Sequence, residues 1–197
     1  REVEEAGFHG CLALAHSRVY LTTLDKPVLV GGEHDLPDGV KSFAGFDTLL
    51  CQEASQEEVF EAVKEGVDGL LQGLNAAILA YGQTSTGKTH TIVGDIQRPG
   101  ICLRAASFLF SEAALRGLEV QVTASYLQLY NDNITDLMVK DGYERKLRLR
   151  ETSTANSNDT VVEGLSEQPV TSAEDVALLI HEGNKLRQQA NTALNAS

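Results

Sequence analysis

The stretch "AYGQTSTGKTHT", Ala80 to Thr91, holds two glycines, Gly82 and Gly87, with Lys88 and Thr89 directly after the second. The spacing is G-x-x-x-x-G-K-[ST], that of a loop whose curled backbone aims successive N–H groups at a phosphate. Glycine allows the curl because it has no Cβ to clash in left-handed conformations. A helix opening at Lys88 adds the positive end of its dipole to the same anion. On this reading Gln83, Thr84, Ser85 and Thr86 complete the ring between the glycines. Lys88 reaches the β- and γ-phosphates as a point charge and is the candidate catalytic group, while Thr89 offers its hydroxyl to Mg²⁺. The plainer alternative is a glycine-rich turn with a solvated lysine. His90 either stacks on an adenine ring or faces solvent, and the pattern alone does not separate the two. Asp95 reads as an exposed turn aspartate.

The flanks bear on that choice. "NAAILAY" before the loop is short and almost wholly apolar, the pattern of a strand buried on both faces; "GKTHTIVG" predicts a helix start. Upstream, "SQEEVFEAVKEGVDGLLQGL" opens on Ser55 with Glu58 three residues later, a capping box, and its apolar residues recur at helical spacing. "CLALAHSRVYLTTLDKPVLV" predicts two or three short strands, and "GGEHDLPDGV" a loop. Downstream, "ICLRAASFLFSEAALRGL" predicts a helix and "EVQVTASYLQLY" a strand with period-2 alternation. "NDNITDLM" reads as a turn or short helix. "KLRLRETSTANSNDTVVEG" reads as two strand pieces around a polar loop at 152–160. A last helix begins near Ser172, with Asp175 three residues on. Strands alternating with helices over 197 residues, with no evident linker, predict one α/β domain: a central sheet flanked by helices.

Composition narrows the partners. A formal net charge of −12 argues against nucleic acid as a general partner, because a polyanion is repelled. Cys11, Cys51 and Cys102 are odd in number and widely spaced, which suggests neither a zinc site nor a disulfide framework. The N-terminus lacks the apolar segment of a signal peptide, and "LLQGLNAAILAYG" is too short and too interrupted to span a bilayer. No membrane insertion is expected.

Together the motifs resemble the kinesin motor domain. "NAAILAYGQTSTGKTHTIVG" is similar to that family's phosphate loop. "FAGFDTLLCQEASQEEVFEAV" resembles its F-D-x-V-F segment and the following S-Q-x-x-V-[FY] helix start. "ASYLQLYNDNITDLM" resembles S-Y-x-E-I-Y-N-E-x-I-x-D-L-L. "VVEGLSEQPVTSAEDVALLIHEGNKLRQQANTALNAS" resembles V-x-G-L-x-E-x-x-V-x-S-x-E-E followed by G-x-x-x-R-x-x-A-x-T-x-x-N. The match is collinear from about Phe46 to Ser197. Leu50, Ile92, Leu103 and Gln128 depart from the family pattern at positions that look structural. The pattern would continue N-x-x-S-S-R-S-H where the chain reads "NAS" (residues 195–197), and an adenine-clasping R-x-R-P strand would precede Arg1. The expectation is therefore a partial motor domain over 1–197, lacking its first strand and everything after the start of the first switch.

The resemblance implies a P-loop NTPase-type central mixed sheet, ATP and Mg²⁺ as cofactors, and Gly82 to His90 as the nucleotide-binding segment. It implies microtubules as the track, a location in the cytoplasm on the cytoskeleton, and any dimerisation through segments outside this chain. It also puts the strands around 146–163 on the track-facing side, making Lys146, Arg148 and Arg150 candidate contacts to acidic tubulin; a solvated strand edge is the alternative. Two function classes follow: the ATP-binding portion of a microtubule motor, or a non-catalytic kinesin-like nucleotide-binding or interaction module. A P-loop ATPase or GTPase outside the family stands third.

Overall fold

The computed structural model describes residues 12–15, 18–22, 40–51, 53–140, 147–154 and 157–194. The chain divides into two units, Arg1–Ala62 and Val63–Ser197.

In the first unit, β1 (Leu12–Ala15), β2 (Arg18–Thr22) and β3 (Val40–Phe43) form an antiparallel sheet in that order. The expected loop and the third strand piece at "PVLV" fall mostly outside the described residues. The helix α1 (Gln56–Glu61) begins as its sequence dictates. Ser55 Oγ accepts from the Glu58 amide at 3.2 Å, and the Glu58 carboxylate accepts from the Ser55 amide at 2.7 Å. This reciprocal cap satisfies two donors that a helix start otherwise leaves without partners. The single helix expected over 55–74 is two, because Val63 sits at φ −116°, ψ −4° and the next helix, α2 (Lys64–Leu70), opens after it without a side-chain cap.

In the second unit α2, α3 (Lys88–Ile92), α4 (Ile101–Leu115) and α5 (Ala173–Leu194) accompany three two-stranded antiparallel sheets. β4 (Val122–Ala124) pairs with β9 (Gln168–Val170), β5 (Leu127–Tyr130) with β6 (Asn133–Asp136), and β7 (Arg148–Thr154) with β8 (Ser157–Glu163). α2 and α4 are joined by Arg116, whose guanidinium bonds both Asp68 and Glu112, and by Lys64 Nζ lying 5.5 Å from the Phe108 ring centre. Val67, Ile101, Ala113, Leu137, Val170 and Ile180 are buried in this unit.

Three expectations are corrected. "NDNITDLM" is a turn only at Asn131 and Asp132, which hold φ of +47° and +59° in a two-residue hairpin turn from β5 to β6; Asn133–Asp136 are strand, and no helix forms. Asn and Asp tolerate this left-handed pair, which matches the twist of the strands it connects. Of the loop expected at 152–160, residues 152–154 and 157–160 are strand, because the ladder of β7 and β8 runs to the Thr154↔Ser157 pair; residues 155–156 lie outside the described residues. Finally, residues 75–81 form no strand. Leu79 is 90% exposed, Tyr81 is fully exposed, and no strand among the described residues bonds to them. A strand exists only through its neighbours, so an apolar run without a partner stays irregular. Beside it lies an open apolar cleft of about 360 Å³ lined by Val67, Ala76, Ile78, Ala105, Leu109 and Val122.

Candidate functional site

The loop from Gly82 to Thr89 is exposed apart from a half-buried Lys88, and its geometry is set by its glycines. Gly87 has φ +92° and is the residue from which α3 starts. Ser85 also has positive φ, +69°. At Gly82 a Cβ would come within 2.7 Å of Thr86 Oγ1, so the backbone there passes closer to Thr86 than any side-chain-bearing residue permits. Thr86 Oγ1 donates to the Gln83 carbonyl at 2.8 Å and closes the curl from inside.

Lys88 folds back over this curl. Its ammonium donates to the carbonyl oxygens of Gly82 at 2.8 Å and Gln83 at 2.6 Å. The cation therefore sits at the mouth of the loop, beside the helix start whose first-turn amides have no intrahelical acceptor. Loop, lysine and helix N-terminus together make a site of positive potential that suits a polyphosphate. Thr89, next in sequence, is exposed on the first turn of α3, where a hydroxyl can ligate a cation. Donors and hydroxyl fit a magnesium–nucleotide. Among the described residues no group of three or more His, Cys, Asp or Glu could hold a metal by itself.

His90 is exposed on α3. Asp95 closes the turn after that helix: its carboxylate accepts from the amides of Gln97 at 2.9 Å and Arg98 at 2.8 Å, and pairs with the Arg98 guanidinium at 3.3 Å. The Arg98 amide is the main cause holding its pKa below the ordinary carboxylate value. Gly94 and Pro99 bridge across the base of this turn and so tie the end of α3 to the start of α4.

The second set of sequence candidates lies on β7. Arg148 and Arg150 are exposed and share one strand face by their spacing of two; Arg150 lies 3.8 Å from Glu163 on β8. Lys146 lies outside the described residues. Sequence reading singled out no role for Asp136, which is fully buried; its place in N-D-x-I-x-D (residues 131–136) was the available signal.

Comparison with known proteins bears on all of this. A family model described as the kinesin motor domain matches residues 22–197. The kinesin-like protein Klp61F of Drosophila melanogaster is 35% identical over 175 residues, covering 83% of this chain and 16% of its own length. Kinesin-like protein 6 of Schizosaccharomyces pombe is 40% identical over 156 residues, 77% of this chain and 20% of its own length. Kinesin-like protein KIF13A of Mus musculus is 39% identical over 146 residues, 72% of this chain and 8% of its own length. The chain thus spans a fifth or less of each of these relatives. Among the described residues no helix is long and apolar enough to cross a membrane.

Proposed function

The chain belongs to the kinesin motor-domain family, and from that membership we propose that it is the ATP-binding portion of a microtubule motor. The observation that carries the proposal is the closed phosphate loop, with the Lys88 ammonium poised at its mouth between the Gly82 and Gln83 carbonyls. Gly82 to Gly87 would hold the β-phosphate by backbone amides. Lys88 would exchange its two carbonyl acceptors for phosphate oxygens, and Thr89 would ligate Mg²⁺. A cation held there by Thr89 and the phosphates would supply charge neutralisation. The chain's own part is positioning, which is most of the work in phosphoryl transfer. His90 would lie along the base-proximal side of the same segment.

In this reading a central mixed sheet of the P-loop NTPase type would form only in a longer protein, where residues 75–81, irregular and exposed here, would become one of its strands. The track is the microtubule, and the protein's place is the cytoplasmic cytoskeleton. Arg148 and Arg150, with Lys146, would meet acidic tubulin on an otherwise acidic chain, and local basic residues of this kind steer association more than they tighten it.

The test is steady-state ATP turnover with and without microtubules, beside Lys88→Ala. Losing one charge-assisted contact to phosphate should weaken Mg-ATP binding about 10- to 100-fold. Turnover that microtubules raise and Lys88→Ala abolishes supports the motor reading. Lys88-dependent binding without turnover supports a nucleotide-binding module instead. Binding that ignores Lys88 refutes both.

A further inference from the structure

Asp136 is the one charged residue among the described residues that is completely buried. A carboxylate is rarely taken fully out of water unless every oxygen finds a donor. Here each does. One oxygen accepts from the Met138 amide at 2.9 Å, a local bond that shapes the end of β6. The other accepts from the Ser166 amide, also at 2.9 Å, thirty residues further along the chain.

Ser166 stands where β8 has ended and β9 has not begun. Leu165 has just bonded back to Val162, after a left-handed Gly164 with φ +85°. The Asp136–Ser166 bond therefore fastens the exit of the β7–β8 hairpin to the end of the β5–β6 hairpin. A second link leads onward to α5. The Leu137 amide donates to the Tyr126 carbonyl at 2.8 Å, and the Tyr126 hydroxyl donates to Asn184 Oδ1 at 3.0 Å. Gly183 permits that contact, since a Cβ there would overlap the Tyr126 ring and lie 3.0 Å from the Leu137 carbonyl.

We infer that Asp136 is a positioning residue, clamping the base of the β7–β8 hairpin to the β5–β6 hairpin and, through Tyr126, to α5, so that Arg148 and Arg150 are presented in a fixed orientation. The functional half of this inference rests on the track-contact reading above. Among the described residues Asp136 is the completely buried charge, and it bonds the hairpin's exit at Ser166, whereas the ladder itself pairs β7 with β8. A hairpin tethered by its ladder alone would sample many orientations, and its two arginines would lose entropy on every binding event.

The test compares Asp136→Asn, Tyr126→Phe and Arg148→Glu with the parent chain by hydrogen exchange and by microtubule co-sedimentation. Asparagine keeps the shape but turns an N–H₂ toward one of two buried amides, so one bond is lost and a donor is stranded. Tyr126→Phe removes only the link to α5 and guards against misfolding of the first variant. Expected is faster exchange at 148–151 and 160–166, unchanged exchange in α4, and about fivefold weaker microtubule binding with nucleotide affinity held within twofold. Faster exchange throughout the unit would make Asp136 an ordinary core residue and overturn the inference. Weakening by Arg148→Glu but by neither clamp variant would overturn it while leaving the track-contact reading intact. If Arg148→Glu itself changes nothing, the track-contact reading falls, and the positioning role falls with it.

Discussion

Gly87→Ala and Gly94→Ala make a matched pair that isolates how the phosphate loop is anchored. Both glycines are left-handed, with φ +92° and +70°. An alanine at either position meets the same backbone penalty, on the order of 1–2 kcal/mol. Their surroundings differ completely. A Cβ on Gly87 meets nothing within 4 Å. A Cβ on Gly94 would overlap the Arg98 carbonyl oxygen and the Gly100 amide nitrogen, and would lie 2.9 Å from the Pro99 carbonyl carbon. These are backbone atoms of a turn already pinned by Asp95 and by the Gly94–Pro99 bridge, so they cannot rotate away as a side chain would. Overpacking of this kind adds about 1–3 kcal/mol, which brings Gly94→Ala to roughly 2–5 kcal/mol in all. That is a large share of the ~5–15 kcal/mol by which a domain is stable.

Urea unfolding followed by far-ultraviolet circular dichroism reads the difference. With a slope of about 1–3 kcal/mol per molar, Gly87→Ala should lower the midpoint by roughly 0.3–2 M and leave a cooperative transition. Gly94→Ala should lower it by a clearly larger amount or abolish the transition. Nucleotide affinity should rank the other way for the protein that remains folded, because Gly87 lies in the cradle and Gly94 does not. Equal midpoints for the two variants would refute the claim that the turn after α3 is rigid, and with it the idea that this turn fixes the loop's helix in place.

Thr171 donates its backbone amide and its hydroxyl to the Asp175 carboxylate, both at 2.8 Å, and these two bonds, in that order, hold the Asp175 pKa below its ordinary value. A depressed folded-state value contributes stability that is present above the unfolded pKa near ~3.9 and is lost as pH falls through the folded value. A ¹³C carboxyl titration should therefore place the Asp175 midpoint below the unfolded value, and Thr171→Val, which keeps the amide, should raise it only partway. Ser55→Ala removes the side-chain half of the α1 cap and should cost about 1 kcal/mol in urea unfolding; no change would mean the cap contributes nothing to the folded state. Burial pushes the Cys102 thiol up and screens it, whereas Cys51 is exposed. Peptide mapping after brief alkylation at pH 8 should find Cys51 labelled well ahead of Cys102, and the reverse order would contradict the packing of α4.

The features legible in the sequence are those fixed by neighbours within a few residues. Ser55 and Glu58 cap α1 because the reach from i to i+3 is a property of the helix itself. The glycine loop curls because Gly82 and Gly87 permit it, and Lys88 finds its carbonyls five and six residues back. The helix at 101–115 follows from its own apolar spacing. Pairings between strands are another matter. "NDNITDLM" reads from its own residues as a turn or a short helix, and nothing local selects a hairpin. The choice is made by Leu129 meeting Ile134 across the ladder. Residues 152–160 lack any apolar signal, yet four register pairs carry residues 152–154 and 157–160 as strands.

The run at 75–81 shows the same rule from its other side. Its composition suits a strand with two buried faces, and composition cannot supply the neighbours that such a strand requires. Without them Leu79 and Tyr81 stand in solvent and the cleft between α2 and α4 stays open. The phosphate loop beside it nevertheless keeps its curl, because its bonds are local. On the proposed reading cradle and sheet are separable in energy: nucleotide binding would depend on Gly82 to Thr89, whereas coupling of that binding to anything distant would depend on a sheet that gave 75–81 its neighbours. Substituting a charge at Leu79 distinguishes the two. Leu79→Lys should leave Mg-nucleotide affinity of this chain within about twofold, since an exposed site tolerates charge. In any longer protein where 75–81 is a buried strand, the same change should prevent folding, since an unpaired charge inside a sheet costs several kcal/mol. If the chain alone loses nucleotide binding on Leu79→Lys, the loop is not self-supporting and its apparent local closure is inherited from the strand after all.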